Sequence, residues 1–287
     1  MTDFLTVTVL VENGPSCRND LICEHGLSLF LAYGDQHVLL DFGQSDAFAH
    51  NAEVLGIDLS CADAAVLSHA HYDHADGMPA FFDHNAGAPL YLSAACAENC
   101  WSTKGGTTDA HYIGIREGLL EQYASRFVRV PVDRVTTVAP GVHLVPHTTP
   151  NLDDAGRQAG MLLREGETWC PDGFSHELSL VVEVGGGPDA PLAIFNSCSH
   201  AGLPTILAEV QRAFPGRHIV AYVGGLHLVR SSDEDILQVA RIVKSAGIER
   251  LYTGHCTGVP AIELLSRELP GKVLSLYPGL TFSLAGV

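Results

Sequence analysis

Val66-Leu67-Ser68-His69-Ala70-His71-Tyr72-Asp73-His74-Ala75-Asp76-Gly77 is the stretch that decides how this chain is read. The apolar run from Ala64 to Leu67 has the length and composition of a short buried strand. Its end opens into three histidines and two aspartates. Imidazole nitrogen and carboxylate oxygen are ligands for zinc, iron or manganese. Alternate side chains of an extended segment share a face, so His69 and His71 converge on one metal. Asp73 and His74 follow a turn and face a second metal about 3.5–4 Å away. In a merely solvated, histidine-rich loop, strand-end placement, spacing and ligand type would not agree in this way.

Outward from the motif, apolar runs alternate with helical patterns. Strands are expected at Phe4–Val11, Ser28–Leu31, His37–Leu40, Pro89–Ser93, Phe127–Val130, Val142–Pro146, Met161–Arg164, Leu178–Val184 and Leu192–Phe195, and at residues 218–223, 250–253 and 272–276. Helices are expected at Asp46–Leu55, through Phe82, and at residues 203–213, 233–246 and 259–268. Such alternation is the pattern of an α/β fold. Residues 101–118, with Trp101, Lys104, Gly105 and Tyr112, lack a period and read as a pocket loop. Gly185 to Pro188 reads as a turn. No linker or charge run divides the chain, so residues 1–287 are read as a single domain with two αβ halves, roughly 1–130 and 131–287.

Composition narrows the function. Hydrophobic residues at 46% and charged residues at 17% belong to a globular chain. Sixteen Lys and Arg against 33 Asp and Glu give a net charge of −17, which repels nucleic acid and anionic membrane and favours a small-molecule substrate as partner. No basic residue precedes the apolar residues of Met1–Leu10 and no apolar run reaches spanning length, so neither signal peptide nor span is expected, and a cytoplasmic location follows. The eight cysteines form no C-x-x-C pair and are expected as reduced thiols, with Cys96 and Cys100 spaced to share a helix face. There is no P-loop, dinucleotide fingerprint or G-x-S-x-G elbow.

Ligand sites of α/β sheets lie beyond the carboxyl ends of strands. Histidines end apolar runs at four places: the motif, His200, His227 and His255. The motif His69-x-His71-x-Asp73-His74 resembles the signature of the metallo-β-lactamase superfamily, which implies a four-layer αβ/βα sandwich around a one- or two-metal hydrolytic site. By that resemblance Asp41 orients the motif loop from behind the ligands, and His255 is the final ligand. The third ligand of the first metal is His176, which precedes a strand, or His200, which follows one. Ser197-Cys198-Ser199-His200 occupies the position of the bridging ligand, with Cys198 as a further candidate contact. Glu24-His25-Gly26-Leu27-Ser28, Gly224-Gly225-Leu226-His227 and Gly254-His255-Cys256-Thr257-Gly258 further resemble the 7,8-dihydropterin-6-methyl-4-(β-D-ribofuranosyl)aminobenzene-5′-phosphate synthase-like branch.

The resemblance implies a hydrolase acting on an ester, phosphoester or related bond of a small molecule. Zinc is the expected cofactor, one or two ions, with iron or manganese as alternatives. His69, His71 and His200 or His176 hold the first metal, and Asp73, His74 and His255 the second. Asp73 and His227 carry catalysis, and His25 contacts substrate. The alternative activity is a condensing synthase with metal-assisted loss of pyrophosphate; Arg18, Lys104, Arg116 and Arg230 are the basic residues available for it. A non-catalytic metal-binding sensor is the third class.

Overall fold

The computed structural model describes residues 4–103, 106–187 and 189–285; Lys104, Gly105 and Pro188 lie outside them. Alternation in β1 (Leu5–Val11) places Leu5, Val7 and Val9 in the core. The strand pairs antiparallel with β2 (Ser28–Tyr33), which returns through Gly34-Asp35 into β3 (Gln36–Leu40). Helix α1 (Ala47–Leu55) stops at Gly56, whose left-handed φ of 73° suits glycine. There follow β4 (Ala64–Val66), α2 (Tyr72–Ala75), α3 (Met78–His84), β5 (Leu90–Ser93), β6 (Trp101–Ser102), β7 (His111–Tyr112), α4 (Leu119–Gln122) and β8 (Phe127–Val130). The remainder runs β9 (Thr136–Ala139), β10 (Val142–Pro146), α5 (Asp153–Ala159), β11 (Met161–Glu165), β12 (Thr168–Pro171), β13 (Leu178–Glu183), β14 (Leu192–Phe195), α6 (Leu203–Ala213), β15 (Ile219–Val223), α7 (Asp233–Ser245), β16 (Arg250–Thr253), α8 (Val259–Glu268), β17 (Val273–Ser275) and β18 (Thr281–Leu284).

Two seven-stranded sheets result, ordered β18-β1-β2-β3-β4-β5-β8 and β17-β16-β15-β14-β13-β10-β9. Their inner faces share one core, in which Val7, Leu29 and Leu40 meet Leu144, Leu180 and Phe195. A second core, with Phe42, Phe48 and Phe81, lies between the first sheet and α1 and α3. A third, with Ile206, Ile236 and Leu265, lies between the second sheet and α6, α7 and α8. Helix, sheet, sheet and helix are thus stacked as a four-layer αβ/βα sandwich.

Parallel pairing runs from β3 through β4 and β5 to β8, and from β14 through β15 and β16 to β17. The ends of β3, β4, β14, β15 and β16 deliver Asp41, His69, Cys198, His227 and His255. Three details differ from expectation. The first sheet takes its edge strand β18 from the end of the chain, outside residues 1–130. Residues 101–118 contribute β6 and β7 to a small sheet ordered β12-β11-β6-β7, because Trp101 pairs with both Leu162 and Tyr112. Cys96 and Cys100 are buried on an irregular segment after β5 and not on a helix. All eight cysteines are unpaired, and among the described residues no helix is long and apolar enough to cross a membrane.

The motif loop is closed by Gly77, where a methyl group would overlap the carbonyl oxygens of Phe42 and Ser45. Gly77→Ala is therefore expected to lose about 1–3 kcal/mol of stability by overpacking, measured as a lower urea midpoint at unchanged slope.

Candidate metal centre

Asp41 is fully buried just beyond β3, at a φ of 60°. Its carboxylate accepts the Ser68 backbone N–H at 2.7 Å, the Ser68 hydroxyl at 2.7 Å and His74 Nδ1–H at 2.8 Å. Ser68 Oγ, whose O–H is directed at Asp41, accepts from His69 Nδ1–H at 2.8 Å. Both histidines are thereby fixed with the proton on Nδ1 and a lone pair on Nε2.

His69, His71 and His200 bring one ring nitrogen each within 4.8 Å of one another. His69 Nε2, His71 Nε2 and both ring nitrogens of His200 are buried without a hydrogen-bond partner. Burial, reinforced by the neighbouring imidazoles, holds His69 and His200 well below the ordinary histidine range; burial, with His176 beside it, takes His71 down to about 3. All three are neutral, each with one ring nitrogen free to act as a ligand, and buried lone pairs without partners are costly unless a cation takes them up.

Asp73, His74 and His255 form the neighbouring group. Asp73 Oδ2 lies 3.5 Å from His74 Nε2 and 3.4 Å from His255 Nε2, and the two Nε2 atoms are 3.1 Å apart. Burial would lower the His74 pKa, but the carboxylates of Asp73 and Asp41 outweigh it and push it up to about 9. A positive charge is thus demanded between these rings, where a proton or a divalent cation meets the need. His255 Nδ1 bonds Asn13 Oδ1 at 2.8 Å, and that oxygen is fixed as the acceptor by the Gly26 backbone N–H at 3.0 Å. Asn13 Nδ2 then donates to His25 Nδ1 at 3.1 Å, leaving His25 Nε2–H to donate to Asp73 Oδ2 at 3.2 Å. His25 accordingly steers Asp73. Cys198 Sγ, 3.4 Å from His74 Nε2, groups with His69 and His74 on one side and with His255 and Cys256 on the other, so it spans both donor sets.

His176 and His200 separate cleanly. His176 Nδ1 accepts the Ala70 backbone N–H at 3.1 Å, which places its proton on Nε2, directed at Asp172 at 3.0 Å. Although His71, Cys100 and Asp172 have ligand atoms within 4.8 Å, this ring has no lone pair to spare. The structure does not bring His176 into the His69/His71 group; His200 stands there. His200 is held from behind, where Glu177 accepts the backbone N–H of His200 and Ala201 at 2.8 and 3.0 Å. His147 is clamped between Glu177 at 2.7 Å and Glu209 at 2.6 Å. His227, at a φ of 50°, places its ring 4.6 Å from His200 and has a buried, partnerless Nδ1. Asn13, Glu12 (which accepts the His255 backbone N–H), Ser68 and Glu177 were not singled out by the sequence. Asn13 carried only a turn signal, and Glu177 only its place beside His176.

These donors open to a cavity of about 240 Å³ whose wall includes Asn13, His25, Tyr72, Met161 and His227. Of the basic residues expected near the site, Arg18 pairs with Asp20 and Arg116 lines a separate pocket. Trp101 packs against Tyr112 and Trp169 in the small sheet.

A four-layer sandwich with a His/Asp/Cys donor set at its strand ends is an architecture suited to holding metal ions. Residues 21–156 match the family model of the metallo-β-lactamase superfamily. A crystal structure described as a metal-dependent hydrolase of the β-lactamase superfamily superposes with a TM-score of 0.80 at 28% identity, covering 98% of this chain and 99% of the other. Zn(2+)-bound PqqB from Methylobacterium extorquens shares the fold, with a TM-score of 0.56 at 12% identity over 97% of this chain and 100% of that one. The 7,8-dihydropterin-6-methyl-4-(β-D-ribofuranosyl)-aminobenzene-5′-phosphate synthase of Methanocaldococcus jannaschii is 22% identical over 96% of both sequences.

Asp41→Asn puts an amide donor against existing donors, and its expected effect is a loss of metal affinity of about 10–100-fold, measured by competition with a chelator. The His147 clamp predicts a pH dependence. Burial would lower the His147 pKa, but hydrogen bonds to Glu177 and Glu209 push it up to about 9. A raised folded pKa means that the clamp's stabilisation is complete below the ordinary histidine value of about 6.5 and is lost as pH rises through about 9. The urea midpoint should fall across that window, and fall less steeply in His147→Gln.

Proposed function

We propose that this chain is a metal-dependent hydrolase of a small-molecule ester, phosphoester or related bond, with zinc as the metal. The observation that supports it is the convergence of His69, His71 and His200 as neutral, buried, partnerless donors beside a cation-demanding Asp73/His74/His255 group. The donor set fits zinc: imidazole nitrogens, a carboxylate and one thiol. His69, His71 and His200 would hold a first ion; Asp73, His74 and His255 a second, with Cys198 between them. Zinc bound there supplies a Lewis acid that polarises the scissile group and lowers the pKa of water to about 7.

The chain's own residues do the rest. Asp41 and Ser68 hold His69 and His74 with Nε2 forward. Asn13 and His25 align His255 and Asp73. His227 overlooks the cavity beside His200, where its Nδ1 can bind substrate or give a proton to the leaving group. A condensing reaction with loss of pyrophosphate is the second reading, supported by the full-length similarity to the synthase.

The test is metal analysis of wild type, His71→Ala and Asp73→Ala together with turnover of phosphodiester, lactone, thioester and β-lactam substrates. Metal content should drop in each variant and turnover by at least about 10³-fold, several kcal/mol of lost transition-state stabilisation. Full metal content in the variants sinks the assignment. Pyrophosphate release from a pterin diphosphate, without hydrolysis of the panel, selects the second reading.

A further inference from the structure

The metal centre opens on one side into a larger cavity of about 980 Å³, and the two share Ser102, Met161, His200, His227 and Val229. That volume holds a whole small molecule rather than a reacting group alone. In a chain of net charge −17, the wall of this cavity contains no Asp or Glu among the described residues. It contains two arginines instead, Arg157 on α5 and Arg230 just after His227. Arg157 is met by Asp153 and Asp154 of its own helix at 3.3 and 3.7 Å, and neither acid belongs to the cavity wall. Arg230 has no hydrogen bond or ion pair among the described residues.

Two further features mark the same wall. Gly202, the N-cap of the eleven-residue helix α6, offers no side chain to cap the amides of the first turn. His200 is more than nine-tenths buried and partnerless at both ring nitrogens where this wall meets the metal donors. An unpaired guanidinium, a second one nearby, a hydroxyl from Ser231 and an uncapped helix start, with acids excluded, are the surroundings of a multiply charged oxyanion.

The geometry points to a phosphate subsite: the substrate's non-reacting end carries a phosphate group that Arg230 binds, flanked by Arg157 and the start of α6. This rests on the hydrolytic reading of the neighbouring metal centre and adds the class of molecule that reaches it. Binding at Arg230 sets the distance from the phosphate to the scissile bond, and Met161 and Val229 contribute apolar wall between them.

The test is calorimetric titration of inorganic phosphate into metal-loaded wild type, Arg230→Gln, Arg157→Gln/Arg230→Gln and His71→Ala, with acetate as the competing anion. Phosphate affinity should fall by at least about 10-fold in Arg230→Gln, fall further in the double variant, and persist in His71→Ala. Unchanged phosphate affinity in Arg230→Gln, loss of it in His71→Ala, or acetate bound as tightly as phosphate would overturn the subsite. Metal content and turnover are read on the same samples: Arg230→Gln should keep its metal, whereas a wild type without metal refutes the hydrolytic reading independently of the phosphate isotherms.

Discussion

One buried carboxylate organises the centre. Asp41 spends both of its oxygens on the motif loop, and through Ser68 and His74 it determines which nitrogen of His69 and His74 carries a proton. The fold brings strand ends together, but strand ends alone do not make donors; an imidazole turned the other way would present N–H where a lone pair is needed. Asp41, fully buried, and Asp73, mostly buried at the cavity wall, set carboxylates beside the histidine rings. Buried carboxylate needs compensation, so the same residues that orient the candidate ligands favour a positive charge, a proton or a cation, between them.

The backbone shows how tightly the site is held. Among the described residues six non-glycine residues have positive φ, and four of them, Asp41, Ser199, His227 and His255, stand in strand-end loops of the centre. Such conformations cost about 1–3 kcal/mol each, and each loop has hydrogen bonds that hold it: Ser199 with Asn196, Tyr222 and the Gly225 carbonyl, His255 with Glu12 and Asn13. Cys198 stands between the two donor sets, grouped with His69 and His74 on one side and with His255 and Cys256 on the other, and no carboxylate ends β14.

Much of this was legible in the sequence, and the boundary is instructive. Long apolar or periodic segments such as β14, α6 and α8 announce themselves because their burial is intrinsic to their own residues. β9, β12 and β18 did not, because they are short and gain their structure from partners far along the chain. The strand-end histidines were visible as a repeated pattern. The choice between His176 and His200 was not, since it depends on a backbone N–H, that of Ala70, more than a hundred residues from His176. Asn13 likewise reads as a turn residue until Gly26, His25 and His255 are folded around its side chain.

The pairing of β18 with β1 has a consequence for how the molecule is made. Leu5 faces Leu284 and Thr8 faces Thr281, so β1 is covered on that side by residues synthesised long after it. During translation β1 is an apolar strand with one bare side, of the kind that recruits foreign strands. Since His255 also follows long after the motif, neither the sheet nor the candidate site is complete until β16 and β18 have followed β1 out of the ribosome. The interval between emergence and closure is when this chain is most exposed to aggregation and to chaperones.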